Sequence, residues 1–400
     1  MADPVHPHIV VGGGISGLSA AHYATHAGVD TLLLERSERL GGCIQTHVFP
    51  QLDQFWVEAG SHSCFNSYGN LLEIMERLRL LGRIRAKTKQ SYALWRGGER
   101  KSVFSALHLP ELIVSLPRLF AQSKADSSVV EYYGRGLGQR NYRDLLGPAF
   151  RSVICQPADE FPADALFRKK PRRKDVLRSF TMPNGLAEIP NAIGAGPGIR
   201  LESGCSATSI APDGDDFVVR LADGSERRCQ HLTLAVPPDV AAQLLGEAAP
   251  EATAVIRRIG VTEIDSLLLV FRKADLRVPE IAGLISVDGP FLSAVSRDFL
   301  PDPRYRGFAF HYPGGQLTDG QRIGAACAAL DVSPDQAIAI THANNRLPSL
   351  RKGHRSLIGQ LDRVLAGGKL AITGNWFLGV SIEDCVTRSR SEHERMFARL

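Results

Sequence analysis

Apolar residues fall into two periods along this chain, and each period predicts its own elements. Ile9, Val10 and Val11 form an apolar run that enters a cluster of glycines. Small and apolar residues then recur at helical spacing (Leu18, Ala20, Ala21, Ala24), and a second apolar run over residues 31–34 ends on Glu35. The pattern predicts a strand, a tight turn, a helix and a parallel strand. Residues 70–80 carry the spacing of an amphipathic helix. From 84 to 180 the pattern changes: residues 107–120 are apolar but interrupted by Pro110 and Pro117, and 129–146 read as helix, so the stretch is expected to be a helical insertion. Alternating residues at 199–210, 217–221 and 232–236, with a turn at Asp223-Gly224, predict strands. Between 240 and 345, β-rich runs at 266–271 and 307–312 are followed by an expected helix over 333–343, with Ser333 as cap and Pro334 in its first turn. A buried strand at 370–373 leads into a last helix with Glu383 and Asp384 in its first turn.

The first turn carries candidate chemistry. Gly12 permits a tight turn, Gly14 lets the backbone approach a pyrophosphate, and Gly17 lets the helix pack on the strand. Ile15 and Ser16 open a helix whose unpaired N–H groups and positive dipole end suit phosphate. Glu35, about twenty residues on, is placed to accept hydrogen bonds from a ribose. Such glycines also occur for packing alone. Here strand, helix, second strand and terminal acid agree, which points to a bound dinucleotide.

Composition narrows the picture without changing it. The 400 residues are 44% hydrophobic and 22% charged, ordinary globular values with room for two or three packed units. A formal charge of +5 makes no case for nucleic acid, but it would not repel an anionic membrane or a carboxylate-bearing substrate. The seven cysteines are scattered without a C-x-x-C pair, which reads as reduced thiols in a cytoplasmic protein. No secretory signal and no run of about 18 apolar residues is visible. A basic cluster at 168–174 can be a solvated face, a contact with phospholipid headgroups or a rim that attracts an acidic substrate. There is no metal-ligand cluster, and the sequence names no catalytic residue; His311 and Tyr312 read as packed or surface positions. Oligomeric state is left open.

Three separated blocks resemble the FAD enzymes of the amine oxidase and protoporphyrinogen oxidase superfamily. The first continues from Glu35 and Arg36 through RSERLGGCIQT, where the resemblance places Arg39 and the Gly41-Gly42 backbone against the FAD pyrophosphate. It then reaches FWVEAGS, with Gly60 and Ser61 near the isoalloxazine ring. Glu58 in that stretch is either a strand-end acid or a structural link. In the second block, FTMPNGLAEIP re-enters the FAD unit, the backbone at Ala207 would meet adenine, and a strand ending at Ala235 closes the meander. In the third, KLAITGNWFLGVSIEDC supplies Gly374, Asn375, Gly379, Val380 and Ile382 to the ribityl chain, a phosphate and the pyrimidine edge. Its helix start is also expected to offer free N–H groups.

The resemblance implies an α/β fold: a discontinuous, Rossmann-like FAD-binding domain of the glutathione-reductase type, a substrate domain on an antiparallel sheet, and a helical insertion. The expected division is 1–85, 181–240 and 346–400 for the FAD-binding parts, 86–180 for the insertion and 241–345 for the substrate domain. The implied activity is an oxidase similar to protoporphyrinogen oxidase, taking hydride from a porphyrinogen and passing electrons to O2. Arg135, Arg140, Arg143 and Arg151 are candidates for substrate propionates. The alternatives are dehydrogenation of a small cyclic amine or pyrroline, and a non-oxidative flavin-dependent isomerase or mutase. A peripheral membrane contact is compatible with all three.

Overall fold

The computed structural model describes residues 5–397. Strand Val5–Val11 sits at the centre of a seven-stranded sheet. It pairs in parallel with Thr31–Leu34 on one side and Glu226–Leu234 on the other. Ile199–Glu202 extends one flank in parallel, while Asp216–Leu221 and Ala207–Asp213 extend the other as an antiparallel meander. Leu370–Ile372 also joins Glu226–Leu234 in parallel. The continuous apolar runs have a simple cause, because this sheet is covered on both faces. Ile9 and Val11 face one core cluster, together with Leu32 and Leu34. Val10 and Leu33 face a second, under helix Ile15–His26 and the last helix, Ile382–Phe397.

A second seven-stranded sheet runs in the order Ala337–Ser349, Gly260–Arg272, Tyr305–Pro313, Ser293–Ser296, Gly283–Ser286, Tyr92–Arg96 and Glu99–Ser102. Three expectations change here. The helix predicted over 333–343 is a single turn, Pro334–Gln336, followed by the strand Ala337–Ser349. The local signal was real, since Ser333 and Gln336 form a reciprocal capping box. It is overridden because the following residues complete a long ladder along Gly260–Arg272. Second, a helix that the pattern did not show, Asp319–Leu330, is capped by Thr318 and Gln321 and buries Ala326, Cys327, Ala329 and Leu330. Third, the stretch expected to be helical begins with a hairpin, Tyr92–Arg96 and Glu99–Ser102, turned by Gly97-Gly98 at positive φ and paired to Gly283–Ser286.

The rest of that stretch is helical. Leu109–Phe120 keeps Pro110 in its first turn, and short helical pieces follow from Val130 to Ile154, broken at Gly138 where φ is +101°. The two-stranded hairpin Thr46–Phe49 and Phe55–Glu58 meets the second large sheet through Phe55, Val57 and Ala59, which pack with Leu268, Val270 and Ala309 in one cluster. Positions near that seam therefore depend on the hairpin and on the second sheet.

Candidate functional site

The glycine turn is built as its spacing requires. Gly12 has φ +107°, and a Cβ there would overlap the carbonyl of Ala235. A Cβ on Gly17 would overlap the carbonyl of Gly12, so helix Ile15–His26 can lie this close only without a side chain. Ala235 completes the packing, donating its N–H to the Val11 carbonyl at 2.8 Å. Gly14 differs: a Cβ there meets nothing nearer than Gly42 Cα at 3.9 Å. Gly14 is also the N-cap and offers no side chain, so the N–H groups of Ile15, Ser16 and Gly17 are uncapped. The protein leaves open the space that a phosphate would fill.

Glu35 ends the second strand with one oxygen on the Gly13 N–H at 2.6 Å and the other on the Ser37 N–H at 2.8 Å. Its backbone carbonyl takes the Cys205 N–H, which brings Cys205 to Ala207 alongside it. Ala207 itself is half-buried at a bulge in the meander. Gly41 touches Gly14 through an isolated bridge, with Gly41 and Gly42 both at positive φ. Arg39 is exposed and donates to the Gly42 carbonyl at 3.0 Å and to Gln45 at 3.2 Å, clamping the turn. Arg36 is exposed. Gly60 and Ser61 lie directly behind the same turn. A Cβ on Gly60 would overlap the Cys43 carbonyl, which accepts from the Ser61 N–H at 2.9 Å.

The C-terminal motif closes on the first. Ser389 Oγ donates to the Ser16 carbonyl at 2.8 Å and lies 2.9 Å from Thr373 Oγ1. Trp376 Nε1 donates to the Val236 carbonyl at 3.1 Å, and Gly374 gives that indole room. Asn375, Gly379 and Val380 form the loop, and Ile382 is buried in the first turn of the helix. The expectation of free N–H groups here needs correction. Asp384 caps its own helix through Ser381 Oγ at 2.6 Å and holds Lys170 at 2.8 Å, and the Asp384 N–H bonds back to Ser381. Glu383 turns away and accepts from the N–H groups of Asn70 and Leu71, capping helix Gly69–Arg77.

Glu58 is a structural link. Its carboxylate accepts from the Leu186 N–H at 2.7 Å and Thr46 Oγ1 at 2.9 Å, tying strand Phe55–Glu58 to the Asn184-Gly185 turn, and burial pushes it up to about 7. The arginines proposed for propionates have mixed placements. Arg151 donates to the carbonyls of Ser286 and Val287, Arg143 pairs with Asp144, and Arg135 and Arg140 are exposed.

One set of residues escaped the sequence reading. His62, just after Gly60-Ser61, has Nε2 3.2 Å from Nε2 of His311, and Nδ1 of His311 is 2.8 Å from Ser266 Oγ. Lys87 donates to the His62 carbonyl at 3.1 Å, and Asn345 Nδ2 to the Ala59 carbonyl at 3.2 Å. The one available signal was the position of His62 in GSH. Nothing in the sequence joins it to a residue 249 positions away.

Residues 15–316 match the family model of flavin containing amine oxidoreductases. The chain belongs to that family. Bovine (Bos taurus) protoporphyrinogen oxidase is 22% identical over 473 aligned positions, covering 97% of this chain and 98% of that enzyme. A 15-cis-phytoene desaturase from Narcissus pseudonarcissus is 31% identical over 105 residues, which is 26% of this chain and spans 18% of the desaturase's length. The solved cyclohexylamine oxidase from Brevibacterium oxydans IH-35A superimposes with a TM-score of 0.74 at 15% identity, over 98% of this chain and 99% of that one. FAD is accordingly the cofactor of this flavoprotein. The open space at Gly14, the uncapped helix start and the half-satisfied Glu35 fit it.

Proposed function

We propose that the chain is an FAD-dependent oxidase that takes hydride from a porphyrinogen and hands the electrons to O2. The observation that carries this reading is the seam at Gly60-Ser61. The turn expected beside the isoalloxazine continues into His62, which meets His311 on the second sheet. A flavin held there would face that sheet's polar positions, where a substrate can lie. The full-length likeness to a protoporphyrinogen oxidase supports the substrate class.

In this reading the N–H groups of Ile15, Ser16 and Gly17 and the Gly41-Gly42 backbone hold the pyrophosphate, and Glu35 holds the ribose. Adenine lies along Ala207, while Gly374, Asn375, Gly379, Val380 and Ile382 line the ribityl chain and pyrimidine edge. When bound, FAD supplies the two-electron acceptor. The protein orients the substrate and excludes water. Anaerobic titration of the yellow protein with protoporphyrinogen IX, with coproporphyrinogen III and cyclohexylamine in parallel, tests the reading. Bleaching by a porphyrinogen with a rising porphyrin band, then recolouring and peroxide in air, is expected. Bleaching by the amine alone would replace the substrate class. A flavin bleached by none of them would move the reading to an isomerase or mutase.

A membrane contact has its own observation. On helix Leu109–Phe120, Ile113, Val114 and Phe120 are 71%, 68% and 84% exposed, and nearby Phe104 is 80% exposed. Arg118 on the same helix and Lys101 beside Phe104 are exposed cations. An apolar face with a basic border suits the surface of an anionic bilayer. No helix among the described residues is long and apolar enough to cross a membrane. The seven cysteines, all unpaired, support a cytoplasmic location.

A further inference from the structure

Three polar side chains that the FAD fingerprint does not use stand in a row where the Gly60-Ser61 turn meets the second sheet. His62 follows the Gly60-Ser61 turn, His311 lies on Tyr305–Pro313, and Ser266 faces His311 across the strand register on Gly260–Arg272. The separations are 3.2 Å between the two Nε2 atoms and 2.8 Å from His311 Nδ1 to Ser266 Oγ. His311 and Ser266 are 4% and 1% exposed, whereas His62 keeps accessible surface. Nδ1 of His62 has no hydrogen-bond partner among the described residues. His62 is the most accessible of the three.

Two imidazole nitrogens at this distance share one proton, so the tautomers of the two rings are coupled. If His311 donates its Nδ1–H to Ser266, its Nε2 accepts from His62, and His62 Nδ1 carries a lone pair. If Ser266 donates instead, both rings reverse and His62 Nδ1 carries a proton. Burial lowers His311 to about 4 and His62 well below the usual imidazole range. Besides His311, the cation facing His62 is Lys87, which further opposes a charge on the ring. The rings are therefore neutral at pH 7, the state that a proton acceptor needs.

We propose that His62 accepts the proton released when substrate is oxidised, with His311 and Ser266 as positioning residues that keep its Nδ1 lone pair free. The proposal rests on the oxidase reading above. Oxidation of a porphyrinogen breaks one meso C–H bond and one pyrrole N–H bond, and the ring double bonds shift so that the meso carbon becomes doubly bonded to its pyrrole α-carbon and the ring gains a C=N bond. The carbon-bound hydrogen leaves with its electron pair to the FAD that the family binds. The N–H proton goes to His62 Nδ1, leaving the charge on the more accessible His62 ring with its Nε2–H still donated to His311. Loss of hydride makes the substrate N–H far more acidic than it is in the reduced substrate, so a neutral imidazole can take the proton.

The test compares flavin-loaded wild type with H62Q, H311Q, S266A and H62A. With 15N-labelled histidine, wild type is expected to show nitrogen–nitrogen coupling across the His62–His311 hydrogen bond and an unprotonated His62 Nδ1. The coupling should vanish in H62Q and H311Q. Anaerobic mixing with protoporphyrinogen IX, or with cyclohexylamine if that alone bleaches wild type, should show H62Q with full flavin content and bleaching slowed by about 10²-fold or more. H311Q and S266A should slow it less, and added imidazole should restore bleaching to H62A, which a purely structural role would not permit. A protonated His62 Nδ1 in wild type overturns the assignment. So does an H62Q variant that bleaches at the wild-type rate, leaving the oxidase reading intact. A wild type that stays oxidised with both compounds overturns the oxidase reading, and the assignment with it.

Discussion

A methyl group placed on Gly14 and one placed on Gly17 meet opposite surroundings. Gly14 has φ −71° and ψ 172°, which any residue adopts, and its Cβ direction is free of protein. Gly14→Val should therefore fold and melt close to the wild-type apoprotein but purify without yellow colour. Full flavin content would refute the site. Gly17→Val should instead fail to fold, because the new side chain overlaps the Gly12 carbonyl. Circular dichroism and the 450 nm absorbance separate the two outcomes. Glu58 allows a pH prediction. Its folded value of about 7 lies above the ordinary carboxyl value of 4.5, so between those limits the folded state binds more protons than the unfolded one. Its contribution to stability thus falls as pH rises from about 4.5 to 7. Glu58→Gln should flatten that part of the pH dependence in urea unfolding, relative to wild type. The Gly12-to-Glu35 geometry was legible because one short segment supplies strand, turn, helix and acid. The His62–His311 pair was not, since only the folding of two separate sheets brings it together.

Among elements, the strands read best where they are buried on both faces, as at Val5–Val11 and Thr31–Leu34. The segment after Ser333 read worst. Its capping box is a sound local signal, yet the backbone hydrogen bonds offered by Gly260–Arg272 extend over the whole strand Ala337–Ser349, and tertiary pairing outweighs one cap worth about 1 kcal/mol. Helix Leu109–Phe120 was legible as apolar, but its exposed face was not, because a sequence does not show which apolar residues find a partner. That face gives an element-scale prediction. In flotation with phosphatidylglycerol-containing vesicles the protein should rise with the lipid. Ile113→Glu combined with Val114→Glu should lower the bound fraction at least tenfold without changing flavin content, since each buried apolar side chain contributes about 1.5–3 kcal/mol. Equal binding of the double variant would remove the membrane reading and leave the helix as a plain surface.

For the whole molecule, the proposed FAD site gathers chain from both ends and the middle. Residues 5–35, 199–235 and 370–382 share one sheet or its edges, and the seam cluster of Phe55, Val57, Leu268, Val270 and Ala309 joins the hairpin at Phe55–Glu58 to the second sheet. Occupation of the site therefore stabilises all of these segments at once, rather than one subunit of the fold. A ligand at about a hundredfold excess over its Kd stabilises the folded state by about 2.7 kcal/mol. Apoprotein supplied with FAD should accordingly melt at a higher temperature, in a single transition at which far-ultraviolet circular dichroism and flavin fluorescence change together. Gly14→Val should show no such shift at the same FAD concentration. Two separated transitions, with fluorescence changing well before circular dichroism, would mean that the two large sheets do not unfold together. An equal shift in Gly14→Val would mean that FAD is held elsewhere.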